Sequence, residues 1–365
     1  MARIDRGFVN AHTHLYSGLS PLGLPPLDPP PRNFLDILAR RWWILDRALD
    51  HDILLASARF CVANALLAGT TVLVDHHESP HCIEGSLDVI ADACQDLGIR
   101  AVVCYGTSER NHGEKEALAG LEENRRFIEE NQRPLVRGAV GLHASFTLGD
   151  ASIRRAGDLA RRLRAPIHVH VAEDMADVED AKQRGYAGPL ERLLALDALP
   201  PNSILAHGVH LTRANVQSDL ANVYAWIVQN PRSNEANGVG YARVLGLEDR
   251  VALGTDGFPS NMQDERDALE RIAKKDDEVS AAELVQNRLE ASSRLAYEFF
   301  GARSDDHVEW DENFSARAPR SVTIAGRELV RDGNLVSGNL PSIREEAERA
   351  AARLFERMQS TGDKP

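Results

Sequence analysis

The sequence predicts an α/β fold in which eight parallel strands and the helices between them close a (β/α)8 barrel. Short runs of valine, isoleucine, leucine and alanine alternate with amphipathic stretches from Gly7 to about Gly301. These runs number eight and are nearly continuous, as in strands buried on both faces. The chain of 365 residues is long enough for a barrel with an appendage. A doubly wound open sheet is the alternative that the periodicity leaves open.

The predicted strands are spaced so that a helix fits between each strand and the next. We expect strands at residues 7–14, 69–75, 100–105, 136–144, 166–170, 203–207, 223–229 and 251–255. The helix after the second strand has apolar residues at helical spacing, with Ser86 as its predicted N-cap and Gly98 as its predicted end. Residues 19–33 are rich in proline, and this loop is either a lid over the C-terminal end of the barrel or a plain surface connector.

The pattern changes after residue 301. Short strands separated by turns are predicted at residues 321–324, 328–330 and 333–336. A last helix is predicted from Ser342 to Met358, with a capping box of Ser342 and Glu345 and an alanine-rich inward face. We therefore divide the chain into a barrel domain, 1–301, and a reduced β unit with a C-terminal helix, 302–365.

Composition disfavours several classes of partner. The formal net charge of −13 at pH 7 repels nucleic acid and anionic membranes. No apolar run reaches the roughly 18 residues that a membrane span needs. The four cysteines form no C-x-x-C pair, which favours free thiols in a reducing compartment. We expect a cytoplasmic protein with a small-molecule ligand.

Side chains that can bind metal stand at the ends of four predicted strands. His12 and His14 occupy alternate positions of the first strand, so their side chains point to the same side. The fifth strand ends in His168 and His170, the sixth in His207, and Asp256 follows the eighth. Barrel enzymes keep their sites at this end of the strands, so these groups are predicted to converge. Three imidazoles and one carboxylate suit Zn²⁺ or Fe²⁺, with a position left for water.

Together these stretches resemble the amidohydrolase superfamily, in particular its deaminase and chlorohydrolase branch and the SsnA-type aminohydrolases associated with selenium metabolism. The resemblance covers residues 7 to about 301. It is carried by GFVNAHTH at 7–14, WWILDRAL at 42–49, GTT at 69–71, DHH at 75–77, GSLDVIA at 85–91, GLHASFT at 141–147, HVHVAE at 168–173, AHGVHL at 206–211, NPRSN at 230–234 and GTDG at 254–257.

The resemblance implies a TIM-type barrel and a role for each of several residues. The implied metal ligands are His12, His14, His170 and Asp256. Glu173 would move protons, Asp256 would also aim the attacking water, and His207 would either touch the metal or orient that water. The expected substrate contacts are His143, His210 and Asn230, with a structural role as the alternative for both histidines. His76, His77 and Glu78 either line the mouth or support the ligands. For Trp42 and Trp43, helix packing is favoured over a place in the pocket wall.

The resemblance also has two departures. Binuclear members of the superfamily place a carboxylated lysine on the fourth strand, but no lysine lies between Arg133 and Asp150. This favours one divalent ion, zinc with iron as the alternative. Relatives carry a longer segment before the first strand that pairs with the C-terminal segment in a β-sandwich, and His12 stands too close to the start for that half to be present. We expect the remaining apolar strands to fold back on the barrel or to form a homodimer interface.

The leading functional hypothesis is a metal-dependent hydrolase of C–N bonds, specifically a deaminase of a small N-heterocycle or of an amidine or imine compound. A chlorohydrolase, or another hydrolase of heteroaromatic rings, would use the same metal site on a different leaving group. A non-catalytic relative that binds a metabolite is the alternative from another class. Four metal ligands together with Glu173 favour an enzyme over a binding protein.

Overall fold

The computed structural model describes residues 3–276, 280–313, 315 and 317–362. Its strands are β1 (Arg3–Asp5), β2 (Phe8–Thr13), β3 (Thr70–Asp75), β4 (Arg100–Val103), β5 (Val136–Gly138), β6 (Val140–Ala144), β7 (Ile167–Val171), β8 (Ile204–His207), β9 (Trp226–Gln229), β10 (Val251–Leu253), β11 (His307–Trp310), β12 (Ser321–Ile324), β13 (Arg327–Arg331) and β14 (Asn334–Leu335). Its helices are α1 (Phe34–Ile37), α2 (Trp43–Ala48), α3 (His51–Leu67), α4 (Ser86–Leu97), α5 (Glu114–Glu130), α6 (Asp150–Leu163), α7 (Met175–Gln183), α8 (Pro189–Ala195), α9 (Leu220–Val223), α10 (Pro231–Ala236), α11 (Met262–Asp276), α12 (Ala281–Phe300) and α13 (Leu340–Gly362). A π-helical turn, Leu38–Trp42, joins α1 to α2.

Strands β2 to β10 form the barrel. One parallel sheet has the order β2-β3-β4-β5 and the other has the order β10-β9-β8-β7-β6. The two sheets meet where Ala139 alone separates β5 from β6, and its N–H still bonds to the carbonyl of Val103 in β4. A parallel bridge between Thr13 and Asp256 joins the other two edges. The ring of strands is thereby closed, as the predicted (β/α)8 barrel requires.

All eight predicted barrel strands are present, with small differences in their bounds. The predicted strand 136–144 is interrupted at Ala139 and counts as β5 and β6. The predicted strand 223–229 begins only at Trp226, because Val223 ends the short helix α9 and Tyr224 has a left-handed backbone with φ of 50°. Each residue of β3, β7, β8 and β9 is buried, as expected for strands covered on both faces.

The N-cap of α4 differs from the sequence prediction. Ser86 is the first residue of the helix, and Gly85 with φ of 76° occupies the N-cap position. The carboxylate of Glu123, in α5, accepts hydrogen bonds from the N–H groups of Gly85 and Leu87, both at 3.1 Å. The cap therefore comes from a neighbouring helix, which local sequence cannot reveal. Gly98, with φ of 90°, ends the helix as predicted.

A five-stranded antiparallel sheet in the order β1-β11-β12-β13-β14 lies beside the barrel. Strands β12 to β14 were predicted, whereas β1 and β11 were not. Strand β1 pairs with β11 through Arg3, Ile4 and Asp5, so the residues before the first barrel strand do contribute to this sheet. The guanidinium of Arg100, in β4, binds both carboxylate oxygens of the buried Asp306 at 2.8 Å, which ties the segment before β11 to the barrel.

Helix α13 packs on the outside of the barrel against α2 and α3. It begins at Leu340, and the side chain of Asn339 caps it by accepting a hydrogen bond from the N–H of Ser342 at 3.1 Å. The predicted capping box is therefore wrong, because Ser342 lies inside the first turn, where its hydroxyl donates to Glu346. The alanine-rich face is buried within the chain, and Leu354 belongs to an apolar cluster shared by α3, α4 and the small sheet.

Within the described residues, none of the helices combines the length and the apolar character that crossing a lipid bilayer requires.

We predict that Leu354→Ala lowers the free energy of unfolding by about 2–5 kcal/mol, because it leaves a cavity between α13 and the barrel. Leu118→Ala is the matched control, since Leu118 is 48% exposed and Leu354 is fully buried. Thermal or urea unfolding of the two variants and the parent measures the difference. Equal stabilities for Leu354→Ala and Leu118→Ala would contradict the packing of α13 on the barrel.

Candidate metal centre

Four side chains converge at the C-terminal end of the barrel strands. His12 and His14 stand at the end of β2, His170 in β7, and Asp256 three residues after β10. One ligand atom from each lies within 4.8 Å of the others. The structure therefore brings together the four residues that the sequence analysis assigns as metal ligands.

The ring orientations of His14 and His170 are fixed by backbone carbonyls. Nδ1 of His14 donates to the carbonyl of His76 at 2.6 Å, and Nδ1 of His170 donates to the carbonyl of His143 at 2.6 Å. A carbonyl can only accept, so Nδ1 holds the proton and each neutral ring has a lone pair on Nε2. These two Nε2 atoms face each other at 3.3 Å, and Oδ1 of Asp256 lies 2.8 Å from Nε2 of His14.

Three acceptors at such distances repel one another unless a cation lies among them. His12 adds a fourth donor atom to the set, since its Nε2 lies 3.2 Å from Oδ1 of Asp256. Its Nδ1 contacts Nε2 of the fully buried His168 at 2.9 Å, so His168 positions His12 and stands outside the converging group. Three imidazole nitrogens and one carboxylate oxygen are a donor set that fits Zn²⁺ or Fe²⁺.

Burial lowers the pKa values of His12 and His14, whereas the carboxylate of Asp256 raises them. Burial lowers the pKa of His12 to about 3 and the pKa of His170 well below its ordinary value, so both rings are neutral at pH 7. For His14, the charge and hydrogen bond of Asp256 outweigh burial and raise the pKa to about 10. A proton and a metal ion compete for the same lone pair on Nε2 of His14. The raised pKa of His14 shows that this position stabilises positive charge.

The backbone is held in the left-handed region at two of these strand ends. His207 has φ of 75° and Asp256 has φ of 54°, which non-glycine residues adopt at a cost of about 1–3 kcal/mol. Hydrogen bonds hold the second position: the N–H of Asp256 donates to the carbonyl of His12 at 3.0 Å, and the N–H of His14 donates to the carbonyl of Asp256 at 3.3 Å. The strained turn thereby aims Asp256 at the two histidines of β2.

Glu173 and His207 lie next to the metal-ligand cluster. Nδ1 of His207 lies 2.8 Å from Oδ1 of Asn234, while its buried Nε2 has no hydrogen-bond partner among the described residues and lies 3.6 Å from Oε2 of Glu173. Burial, together with the charge of Asp256, raises the pKa of Glu173 well above its ordinary value. Glu173 can therefore hold a proton near neutral pH and transfer it.

A cavity of about 450 Å³ opens above the cluster, a usual size for a small-molecule site. His14, His170, Glu173 and Asp256 line its inner end. Its walls are largely aromatic and include Phe34, Trp42, Trp43, Phe146 and Phe258. Both tryptophans therefore belong to the cavity wall, because the π-helical turn and α2 border the cavity, and Trp42 also packs against the apolar core as the sequence analysis favoured. Ser20, Pro21 and Leu24 also line it, so the proline-rich loop acts as a lid.

The three predicted substrate contacts have different positions. His143 lines the cavity, with Nδ1 at 3.0 Å from Oγ1 of Thr147. Asn230 is fully buried beside His207 and does not line the cavity. His210 is half-buried and does not line it either, because the left-handed pair His207 and Gly208 turns the chain back towards β7, where the N–H of His210 bonds to the carbonyl of Ala172.

Glu78 and Ser233 also line the cavity. Glu78 is 3% exposed, accepts a hydrogen bond from the hydroxyl of Tyr16 at 2.7 Å, and lies 2.9 Å from Nδ1 of His76. Ser233 donates to Oδ2 of Asp256. Lining the mouth was one of the two predicted roles of Glu78. Ser233 was not singled out by the sequence analysis, but it follows β9, so its position after a strand end is the signal that could have identified it. The preceding residue, Arg232, forms an ion pair with Glu265.

Known proteins similar to this chain are hydrolases. A family model described as "Amidohydrolase family" matches residues 7–293. A 5-methylthioadenosine/S-adenosylhomocysteine deaminase of Caldanaerobacter subterraneus is 29% identical over 70% of this chain and 57% of its own length. A 5′-deoxyadenosine deaminase of Methanothermobacter thermautotrophicus is 31% identical over 70% of this chain and 58% of its own length. The match thus spans less than two thirds of either relative.

Solved structures confirm the barrel fold. An adenosine deaminase from Xanthomonas campestris with bound zinc superimposes with a TM-score of 0.82 over 97% of this chain and 86% of its own, at 23% identity. An atrazine chlorohydrolase from Arthrobacter aurescens complexed with zinc gives a TM-score of 0.78 over 96% of this chain and 88% of its own, at 20% identity. At such identities the likeness concerns the fold alone.

We predict that His170→Ala lowers the amount of zinc retained after dialysis, because it removes one of the converging nitrogen atoms. His210→Ala is the control, since His210 also follows a barrel strand but stands outside the cluster. Metal analysis of both variants and the parent, each loaded with Zn²⁺, gives the answer. Full zinc retention in His170→Ala, or an equal loss in His210→Ala, would contradict the assignment.

Proposed function

The chain belongs to the amidohydrolase family, and on that premise we propose that it is a metal-dependent deaminase. One observation supports this most strongly: nitrogen atoms of His14 and His170 and a carboxylate oxygen of Asp256 converge beside Glu173, a buried carboxyl group that can carry a proton. Such a site combines a place for a divalent ion with a general acid and base, which hydrolysis of a C–N bond requires.

The substrate class that we propose is a 6-aminopurine nucleoside or a closely related N-heterocycle. The similar 5-methylthioadenosine/S-adenosylhomocysteine and 5′-deoxyadenosine deaminases carry such substrates in their names. The cavity suits a planar ring, because Trp43, Phe146 and Phe258 offer aromatic surface close to the acidic inner end. His143 lines the same wall and can form a hydrogen bond with a ring nitrogen or a substituent.

The proposed reaction replaces an amino group by oxygen: the substrate amine and one water give a carbonyl compound and ammonia. A divalent ion bound by His12, His14, His170 and Asp256 would lower the pKa of a coordinated water and so supply a nucleophile near neutral pH. Glu173 would take the proton of the attacking water, pass it to a ring nitrogen, and finally protonate the departing amine. His207 would orient the water through its free Nε2, and Asp256 would accept a hydrogen bond from it.

The remaining assignments are also proposals. We propose a barrel domain, 1–301, with an accessory unit, 302–365, and a homodimer. The four cysteines are free thiols, which supports a cytoplasmic location. The face of α13 that could have formed a dimer interface is buried within the chain, so a dimer would use another surface.

We predict one divalent ion per chain, zinc with iron as the alternative. Among the described residues, each of the three other groups of potential ligands shares a residue with the set of His12, His14, His170 and Asp256, and no lysine lies between Arg133 and Asp150 to bridge a second ion. Metal analysis after loading with excess Zn²⁺ and removal of loosely bound metal measures the stoichiometry. Two tightly held ions per chain would contradict the mononuclear assignment.

We predict that the zinc-loaded protein releases ammonia from adenosine-type nucleosides and that Glu173→Gln lowers turnover by about 10²-fold or more, the scale expected for losing a general acid and base. The metal content of Glu173→Gln should stay near that of the parent, because Glu173 is not one of the four proposed ligands. A loss of zinc would instead indicate that the second group of potential ligands, Glu173, His207 and Asp256, binds the ion. Ammonia release and metal content are measured on the same preparations.

The same assay separates the proposal from its alternatives. Near-full activity in Glu173→Gln would move the proton transfer to another residue, with His207 as the nearest group. Chloride release from chlorinated heteroaromatic rings, without ammonia release from amino-substituted ones, would favour a chlorohydrolase. Binding of nucleosides without turnover of any compound would favour a non-catalytic relative.

A further inference from the structure

The cavity has an uneven distribution of charge. Its inner part is acidic, with Glu78, Glu173 and Asp256 in the lining. Among the described lining residues, Arg41 is the one arginine or lysine. Arg41 lies in the π-helical turn Leu38–Trp42, is half-buried, and bonds through Nη2 to the carbonyl of the exposed Pro25 at 3.0 Å. The positive group is therefore at the solvent side of the cavity, beneath the lid.

The charge of Arg41 is not neutralised within the described part of the chain, where no carboxylate forms an ion pair with it. Burial lowers its pKa, and no neighbouring carboxylate offsets that effect. Two other arginines, by contrast, are paired with carboxylates: Arg110 binds Asp46 at 2.7 Å, and Arg232 binds Glu265. Partial burial of an unpaired cation is unfavourable, so the site gains when an anion enters.

The space between the two ends is apolar. Phe34, Leu38 and Trp42 come from the same segment as Arg41 and line the wall next to it. A ligand whose ring reaches the acidic inner end would place its outer substituent against this wall and then beside the guanidinium. The planar guanidinium presents donors that match the two oxygens of a carboxylate or the oxygens of a phosphate.

We propose that the substrate carries an anionic group, a carboxylate or a phosphate, which Arg41 binds at the solvent side of the cavity while the ring occupies the inner end. This inference rests on the proposed deaminase function, and it narrows the substrate class to N-heterocycles with an acidic tail. The guanidinium also favours one orientation of the substrate, because a reversed ligand would leave Arg41 without a partner at the solvent side.

Matched pairs of nucleosides test the proposal on the zinc-loaded full chain. S-adenosylhomocysteine and 5′-methylthioadenosine differ in the amino-acid tail that carries a carboxylate, and adenosine 5′-monophosphate and adenosine differ in a phosphate. For the pair whose anionic group Arg41 binds, Arg41→Gln should lower the ratio of kcat/KM, taken as the member with the carboxylate or phosphate over the member without it, by about 10- to 100-fold. Arg41→Lys should lower this ratio less, because lysine keeps the positive charge although it loses the paired N–H donors of the guanidinium. The pair whose ratio falls in Arg41→Gln shows whether the bound group is a carboxylate or a phosphate.

Arg40→Gln is the matched control. Arg40 is the preceding residue and bonds in the same way to a lid carbonyl, that of Pro29 at 2.8 Å, but it does not line the cavity. A general effect of loosening the lid would appear in both variants, whereas an anion site predicts an unchanged ratio in Arg40→Gln. Calorimetric Kd values for the same pairs in a Glu173→Gln background provide a readout that does not depend on turnover.

The possible outcomes separate this inference from the proposed function. Ammonia release from both members of each pair, with ratios that Arg41→Gln does not change, overturns the anion site and leaves the deaminase proposal intact. An equal fall in Arg40→Gln and Arg41→Gln also overturns it. Neither binding nor ammonia release with any of the four compounds overturns the purine deaminase proposal, and the anion site falls with it.

Discussion

The structure depends on one electrostatic constraint: acceptor atoms of His14, His170 and Asp256 face one another with no donor among them when the rings are neutral. The two carbonyls that bind Nδ1 of His14 and His170 allow no other tautomer of the neutral rings. Neighbouring strand ends supply these carbonyls, because His76 follows β3 and His143 lies in β6. Closure of the barrel therefore creates the need for a cation and places the nitrogen atoms that would bind it.

The same constraint explains where the backbone is strained. Asp256 must approach two histidines of β2, on the other side of the point where the ring of strands closes, and it does so from a left-handed conformation. His207, also left-handed, brings its free Nε2 towards Glu173. Strain at both positions is consistent with a site whose geometry is set by function, while the buried valine, leucine and isoleucine residues of the strands provide the stability that holds it.

The sequence was sufficient to predict the barrel and the convergence of metal-binding groups at its C-terminal end, since two periodicities and the ends of strands determine both. The choice of His12, His14, His170 and Asp256 among those groups came from the resemblance to the amidohydrolase superfamily. The sequence was not sufficient where the deciding contact is distant along the chain. Glu123 caps a helix that begins 37 residues before it, and no local pattern in the sequence shows such a contact. Asn230 and His210 are polar residues near strand ends, but the turns that follow the strands decide that neither lines the cavity.

The C-terminal unit is linked to the cavity wall, and this link was also not predictable from local sequence. The guanidinium of Arg357, in α13, donates to the carbonyls of Ala48 and Leu49 at the end of α2, at 2.6 and 3.3 Å. Phe355 lies under the turn at Gly23 in the lid. Helix α2 begins with Trp43, a wall residue of the cavity, and the π-helical turn before it carries Arg41. Because α13 supports both the lid and the helix behind the wall, the accessory unit helps to define the shape of the cavity as well as covering apolar surface of the barrel.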